Sequence, residues 1–335
     1  MNEADSERIA SCLAEKGFEP AKDASSANLV IINSCSVRES AENRVFGLVN
    51  NLSKLKKKPR LLLTGCLVGS AKGENRRYSL KQLQEKTPGV DEYKTLQEIL
   101  GKEKSLDYPR KDNKHAYVKI MEGCNNYCSY CVVPYARGRE VSLPFAEIIC
   151  EIKNLAKKGY REITLLGQNV NSYGRDLQPP EKFSGLLEAV HDTPGIEKIS
   201  FLTSNPWDLT EEIIEAMSLP KIDRYLHLAV QSGDDEILKR MNRKYTVAAF
   251  LALVKKLREK IPDIRIGTDL IVGFPGETEE QFQNTVRFVK EIGFEKAFVS
   301  RYSPRVGTAA YKLEDSVSPA EKKRRWKILN EMINL

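Results

Sequence analysis

Beyond residue 115 the chain alternates short apolar runs with stretches whose apolar residues recur every three or four positions. Six runs read as strands: AYVKIM (116–121), EITLLG (162–167), IEKISFL (196–202), YLHLAV (225–230), IRIGTDLIV (264–272) and KAFVSRY (296–302). The segments between them carry helical spacing, as in Phe250, Leu253, Val254 and Leu257, or Phe282, Val286 and Val289. Strand and helix in alternation specify βαβ crossovers, which set neighbouring strands parallel. Six such units build an open doubly wound sheet or a partial barrel, and in both the ligand edge is the C-terminal end of the strands.

The first hundred residues carry a smaller version of the same pattern. A helix from about Asp5 to Lys16 leads to the strand NLVIINS (28–34), a helix from about Arg38 to Lys57 and the strand RLLLTG (60–65), with helical stretches to residue 100. Between the two regions, GKEKSLDYPRKDNKH (101–115) is polar, charged and broken by Pro109. It predicts a linker that divides the chain into domains at 1–105 and 106–335. Two cysteines stand at matching places in the smaller unit, Cys35 directly after its first strand and Cys66 directly after its second. In a parallel sheet both lie on one edge, near enough to share a metal or a cluster, although two thiols do not complete such a site.

Composition narrows the class. In 335 residues, 53 basic side chains against 46 acidic ones give a modest positive charge that suits an anionic partner such as RNA. No apolar run spans a bilayer, and the opening MNEADSERIASCLAEKGF lacks the apolar centre of a signal peptide, so a cytoplasmic protein without a membrane partner is expected. Seven cysteines in that setting do not suggest a disulfide scaffold. Three of them, Cys124, Cys128 and Cys131, sit in EGCNNYCSYCVVPYARGR, a C-x3-C-x2-C spacing with Tyr130 before the last thiol, in the loop after the first strand of the larger unit. Three thiolates on a cluster that takes four ligands leave one iron open to a substrate or cofactor. Zinc is the rival, yet it ordinarily takes a fourth Cys or His nearby, and the nearest histidines are His115 and His191.

The remaining signals are blander. Cys150 falls opposite the apolar face Ile148, Ile149, Ile152 and Leu155 of a helix over Phe145–Lys157, and Cys12, one turn from Ile9, reads as a small buried hydrophobe. The basic runs KLKKKPR (54–60), RMNRK (240–244) and EKKRRWK (321–327) can meet phosphates, but each taken singly reads as solvated helix surface. Gly273 and Gly276 in GFPGET shape a turn, since that run lacks the features of phosphate-binding loops, and His227 is as consistent with packing as with catalysis.

CNNYCSYC resembles the signature of the radical S-adenosylmethionine (SAM) enzymes, whose core is a partial barrel of six βα units. More narrowly, INSCSVRESAENRVFG, EGCNNYCSYCVVPYARGREVS, LLGQNVNSYG, HLAVQSGDDEILKRMNR, DLIVGFPGETEEQF and YSPRVGTAA are similar to successive blocks of the methylthiotransferase family. The likeness runs along the whole chain and is strongest to the tRNA 2-methylthio-N(6)-dimethylallyladenosine synthase branch, the MiaB type. It implies an α/β fold in which an N-terminal α/β domain with a parallel sheet precedes a radical SAM partial (β/α)6 barrel. It implies that Cys124, Cys128 and Cys131 hold a 4Fe-4S cluster whose open iron is chelated by S-adenosylmethionine, the source of a 5'-deoxyadenosyl radical. Tyr130 would lie against the adenine, Gly167 and Gln168 would meet the cofactor's amino group, and Arg243 its carboxylate. Cys35 and Cys66 would be two of the three ligands of an auxiliary 4Fe-4S cluster, where sulfur is held and methylated before transfer. The implied substrate is the tRNA anticodon stem-loop, methylthiolated at carbon 2 of N(6)-isopentenyladenosine 37, with a reducing electron donor and a sulfur donor as further partners.

The family's third auxiliary ligand precedes a segment like MNEADSE, and its TRAM RNA-binding domain follows a segment like EKKRRWKILNEMINL. Both are therefore expected to be absent here, with the auxiliary cluster incomplete. Three other readings stand beside this one. The first is a sister methylthiotransferase acting on threonylcarbamoyl-adenosine in tRNA or on a ribosomal protein aspartate; the second is a non-catalytic, metal-bound RNA-binding protein; the third is a decayed relative that binds cluster and cofactor but completes only the uncoupled cleavage.

Overall fold

The computed structural model describes residues 1–101 and 110–335. In the first unit α1 (Asn2–Glu15) precedes β1 (Leu29–Ser34), α2 (Glu39–Ser53), β2 (Arg60–Gly65), α3 (Cys66–Lys72), α4 (Leu80–Lys86), the short β3 (Glu92–Tyr93) and α5 (Leu96–Leu100). The three strands form a parallel sheet in sequence order. Helices cover both faces, which is why RLLLTG is apolar without alternation. Leu61 and Leu63 pack with Val45, Val49 and Leu83 on one side, while Leu62 packs with Ile9, Cys12 and Ile99 on the other. Each such leucine contributes about 1.5–3 kcal/mol by burial.

The second unit begins with β4 (His115–Lys119) and the hairpin strands β5 (Met121–Glu122) and β6 (Val141–Ser142), which flank α6 (Val133–Arg137). There follow α7 (Phe145–Lys157), β7 (Glu162–Leu166), α8 (Phe183–His191), β8 (Lys198–Phe201), α9 (Glu211–Met217), β9 (Tyr225–His227), α10 (Asp235–Arg240) and α11 (Val247–Lys260). The unit ends with β10 (Arg265–Val272), α12 (Glu279–Ile292), β11 (Lys296–Arg301) and α13 (Pro319–Asn334). Parallel strands run β4-β7-β8 and β9-β10-β11, and the single bridges Ile199 to Ile222 and Ser204 to Leu228 join the two halves. Spatial order equals sequence order with no point of reversal, so the six units wind one way into a partial barrel rather than a doubly wound sheet.

All six expected strands form. The fourth is shorter than YLHLAV: its ladder stops at His227, Leu228 bridges Ser204 while its N–H donates to the Gly267 carbonyl at 2.8 Å, and Gln231, at φ 79°, makes a single bridge to Leu270. At the other ends, α1 starts at Asn2 rather than Asp5 and α2 stops at Ser53 rather than Lys57. Local chemistry sets the boundaries of α12, where Thr278 and Gln281 form a reciprocal capping box and Gly293 closes the helix in the left-handed region at φ 64°.

The polar stretch 101–115 is only partly a linker. Residues 102–109, with Pro109 and the expected domain boundary, lie outside the described residues. Arg110, by contrast, is buried, bonding Glu151 on the inner face of α7 and the Tyr117 carbonyl, while the Lys111 N–H donates to Glu7 of α1 at 2.9 Å. A buried guanidinium needs such partners, and it in turn neutralises the carboxylate that the apolar face of α7 would otherwise exclude. Among the described residues no helix is long and apolar enough to cross a membrane.

Candidate active site

The three cysteines lie at the C-terminal edge of the barrel, in a loop whose ends are stapled by β5 and β6, with Met121 opposite Ser142 and Glu122 opposite Val141. Gly123 adopts φ 83°, and a Cβ there would collide with the Arg139 carbonyl, so the tight entry demands glycine. Its N–H donates to Gln168 Oε1 at 2.6 Å, and the Cys124 N–H donates to the Gly138 carbonyl at 3.2 Å. Tyr127 is held at φ 47° by Asn242, itself at φ 57°, whose amide donates to the carbonyls of Asn126 and Tyr127 at 3.2 and 3.0 Å. Ser129 fastens the loop to α10, its N–H meeting the Met241 carbonyl at 3.0 Å and its hydroxyl the Arg240 carbonyl at 2.8 Å. Among the described residues the non-glycines with positive φ are Tyr127 in this loop, Thr203 and Gln231 after β8 and β9, and Asn242 after α10. Such strain persists only where the surroundings enforce it.

Burial governs the thiols. Burial first, with the neighbouring Cys128 adding to it, pushes Cys131 up to about 12 and Cys124 up to about 11. Buried thiols of this kind ionise when a metal supplies compensating positive charge. Two donors beside them are buried without a hydrogen-bond partner, Asn126 Nδ2 and Arg243 Nε. Orphan donors next to clustered thiols fit an anionic group that occupies the space between them, as an iron-sulfur cluster with a carboxylate-bearing ligand would. Among the described residues no three Cys, His, Asp or Glu side chains gather as the ligands of one ion do; a cluster meets each thiolate at a separate iron.

The other expected cofactor residues sit around this loop. Arg243 is buried, donating to Cys128 Sγ at 3.4 Å, to Asn205 Oδ1 at 3.2 Å and to the Ala229 carbonyl. Its guanidinium lies 4.6 Å from the Trp207 ring centroid and 5.5 Å from that of Tyr245, so the aromatic pair fixes its plane. Tyr130 is half-buried against Ile237, Met241 and Phe274, and burial raises its hydroxyl well above the ordinary range. Gly167 follows β7, and a Cβ there would fall 2.6 Å from the Met121 side chain. Gln168 spends its carbonyl oxygen on Gly123, so in this structure it positions the loop. His227 places Nε2 2.8 Å from Asp269 Oδ2 on the neighbouring strand.

The smaller sheet brings Cys35 and Cys66 together as the strand edge predicts. Ser34 pairs with Gly65 at the last register position of β1 and β2, so the next residue of each strand is a cysteine. Cys66 opens α3, which packs against α6 so closely that a Cβ on Gly69 would overlap the Ala136 carbonyl. Through this contact the two cysteine sites face one another. Arg137, at the end of α6, reaches across: Nε donates to Cys66 Sγ at 3.4 Å, Nη1 meets Asp5 at 2.8 Å and Glu122 at 2.7 Å, and Nη2 donates to Asn2 at 2.9 Å. Burial raises the Cys66 thiol, and Arg137 opposes that rise.

Sequence reasoning missed Arg137, although it stands inside the quoted run PYARGR. It also missed the buried group of Ser36, Glu42, Arg77 and Arg305, which ties the loop after Cys35 to the segment after β11. Two of the basic runs are partly engaged within the chain. In EKKRRWK, Lys322 pairs with Asp315, Arg325 with Glu277, and Arg324 with Glu279 and Glu321; in RMNRK, Arg240 bonds the turn at Pro275 and Gly276 and Arg243 is buried. Lys244 and Lys323 remain exposed, so each run keeps a cation at the surface. Cys150 is exposed and Cys12 buried, as expected, while Gly273 and Gly276 take φ 68° and 72° in their turn.

Comparison with known proteins agrees with this architecture. Residues 118–289 match the radical SAM superfamily, and residues 1–88 match an uncharacterized protein family, UPF0004. The chain is similar to the tRNA-2-methylthio-N(6)-dimethylallyladenosine synthases of Clostridium tetani, at 44% identity, and Clostridium novyi, at 46%. Each alignment covers 100% of this chain and 79% of the relative. Among solved structures, a radical S-adenosylmethionine methyltransferase from Kitasatospora setae shares the fold with a TM-score of 0.60 at 15% identity, over 92% of this chain and 72% of that one.

Proposed function

The chain belongs to the radical SAM methylthiotransferase family, and from that premise we propose that it places a methylthio group on carbon 2 of N(6)-isopentenyladenosine 37 in the tRNA anticodon loop. It is a sulfur-group transferase that works with 4Fe-4S clusters and S-adenosylmethionine on tRNA. When bound, these cofactors supply reductive cleavage of a sulfonium, hydrogen-atom abstraction and methylated sulfur.

The protein's part is holding and aiming. Cys124, Cys128 and Cys131 hold the radical-generating cluster and leave one corner free. Arg243, fixed by Trp207 and Tyr245 and carrying an unpartnered buried Nε, meets the cofactor carboxylate, a charge-assisted bond in a dry setting. Gly167 keeps the floor of the site free of a side chain, and Tyr130 walls it. Cys35 and Cys66 would supply two of the three ligands of the sulfur-bearing cluster. We assign residues 1–105 to the sulfur-bearing domain and 106–335 to the radical domain, with an external reductant and sulfur donor, and place the reaction in the cytoplasm.

The observation that carries this reading is Arg137, which binds Cys66 and, through Glu122, the entry of the three-cysteine loop, so that the two cysteine sites share one guanidinium. The test is mass spectrometry of nucleosides from an isopentenylated anticodon stem-loop incubated anaerobically with the reconstituted protein, a reductant and S-adenosylmethionine. A 2-methylthio product is expected. Methylthiolation of a threonylcarbamoyl-adenosine stem-loop incubated in parallel, and not of the isopentenylated one, overturns the proposal.

A further inference from the structure

Several cations of the basic runs RMNRK and EKKRRWK are engaged within the chain, and the outer edge of the barrel carries others that are not. A cavity of about 400 Å³ lies along β11, lined by Arg38, Lys296, Phe298 and the last turn of α13. Glu295, Ala297 and Val299 of the same stretch line it as well. Ala297 and Val299 are committed to α13: the Asn334 side chain bonds both the N–H and the carbonyl of Ala297, and Trp326 Nε1 donates to the Val299 carbonyl at 3.0 Å. Phe298 points the other way and is 41% exposed, whereas Phe201, Phe250, Phe274 and Phe288 on the same barrel are buried. Leaving a phenyl ring in water forgoes burial that its neighbours gain, so an exposed ring flanked by charge suggests a partner.

Two cations flank that ring. Lys296 Nζ lies 5.1 Å and the Arg38 guanidinium 6.0 Å from its centroid, and among the described residues neither has a carboxylate within ion-pair distance. The adjacent Glu295 is engaged by Arg265 at 3.1 Å. The His227 ring, 5.8 Å away, completes one side. Arg38 stands three residues after Cys35, so the loop carrying that thiol also reaches this wall. An aromatic platform between unpaired cations is the arrangement that binds single-stranded nucleic acid, with a base on the ring and its phosphates on the charges.

We propose that Phe298, Arg38 and Lys296 form a stacking subsite for one nucleotide of the single-stranded loop of the RNA substrate. This rests on the tRNA reading above and adds where the loop is gripped. The test is fluorescence anisotropy of a labelled anticodon stem-loop bound by the full chain, with urea midpoints to verify folding. Phe298→Ala is expected to weaken binding by about 5- to 100-fold, as loss of one base-aromatic stack does, while Phe298→Tyr restores it. Arg38→Gln combined with Lys296→Gln is expected to reduce the slope of log affinity against log salt by about 1.4, two single-strand phosphate contacts. Tight RNA binding by the parent chain that neither change alters overturns the subsite alone. No binding by the parent chain overturns the RNA reading itself.

Discussion

Gly69 offers a test of the contact that brings the two cysteine sites face to face. It lies inside α3, where alanine is ordinarily the better helix former by about 1 kcal/mol. Here a Cβ would land on the Ala136 carbonyl, a backbone atom of α6 whose own N–H is tied to the Val132 carbonyl at 3.0 Å and which has no rotamer by which to yield. Overpacking of this kind costs about 1–3 kcal/mol, so after the helix gain of about 1 kcal/mol Gly69→Ala is expected to lose up to about 2 kcal/mol. Gly47, in the middle of α2, has nothing within 4 Å of its virtual Cβ, and Gly47→Ala should instead gain up to about 1 kcal/mol. Urea unfolding of the two variants beside the parent measures both. Separating α3 from α6 should also leave cofactor cleavage intact while methylthio transfer falls. If Gly69→Ala gains stability as Gly47→Ala does, the close α3–α6 contact is wrong.

Further expectations concern single residues. Arg325→Met removes the partner of the buried Glu277 carboxylate, 2.8 Å away, and should cost about 3–5 kcal/mol in urea unfolding. Arg324, and then Arg325, hold the Glu321 carboxyl at about 2, below an unfolded value of about 4.3. Its contribution is therefore complete above about pH 4.3 and lost as pH falls towards 2, so Glu321→Gln should flatten the acid limb of the urea-midpoint profile in that window. Arg243→Lys cannot keep the planar stack on Trp207, and KM for S-adenosylmethionine in the cleavage assay should rise by about 10-fold or more, equivalent to one charge-assisted hydrogen bond.

The fold was legible because period and order are local properties. The alternation of apolar runs located six strands and the helix Phe145–Lys157, and strand ends alone brought Cys35 beside Cys66. Choosing partial barrel over doubly wound sheet needed the spatial order of β4 to β11, which periodicity does not carry. The arginines were the main blind spot. A guanidinium reaches across elements distant in sequence, so Arg110 with Glu151, Arg137 with Asp5, and Arg305 with Glu42 look like surface charge until the chain is folded. The same reach divides EKKRRWK, where Lys322 and Arg325 are buried against Asp315 and Glu277 while Lys323, Arg324 and Lys327 stay exposed.

The central claim is a division of labour: the three-cysteine loop generates the radical, and Cys35 with Cys66 holds the sulfur to be transferred. The double variant Cys35→Ala, Cys66→Ala, reconstituted anaerobically and supplied with reductant, S-adenosylmethionine and isopentenylated stem-loop, separates the two roles. Quantifying 5'-deoxyadenosine and methylthiolated nucleoside in one sample should show the first still formed and the second absent. Methylthiolated product from this variant, or loss of cofactor cleavage along with it, would contradict the account.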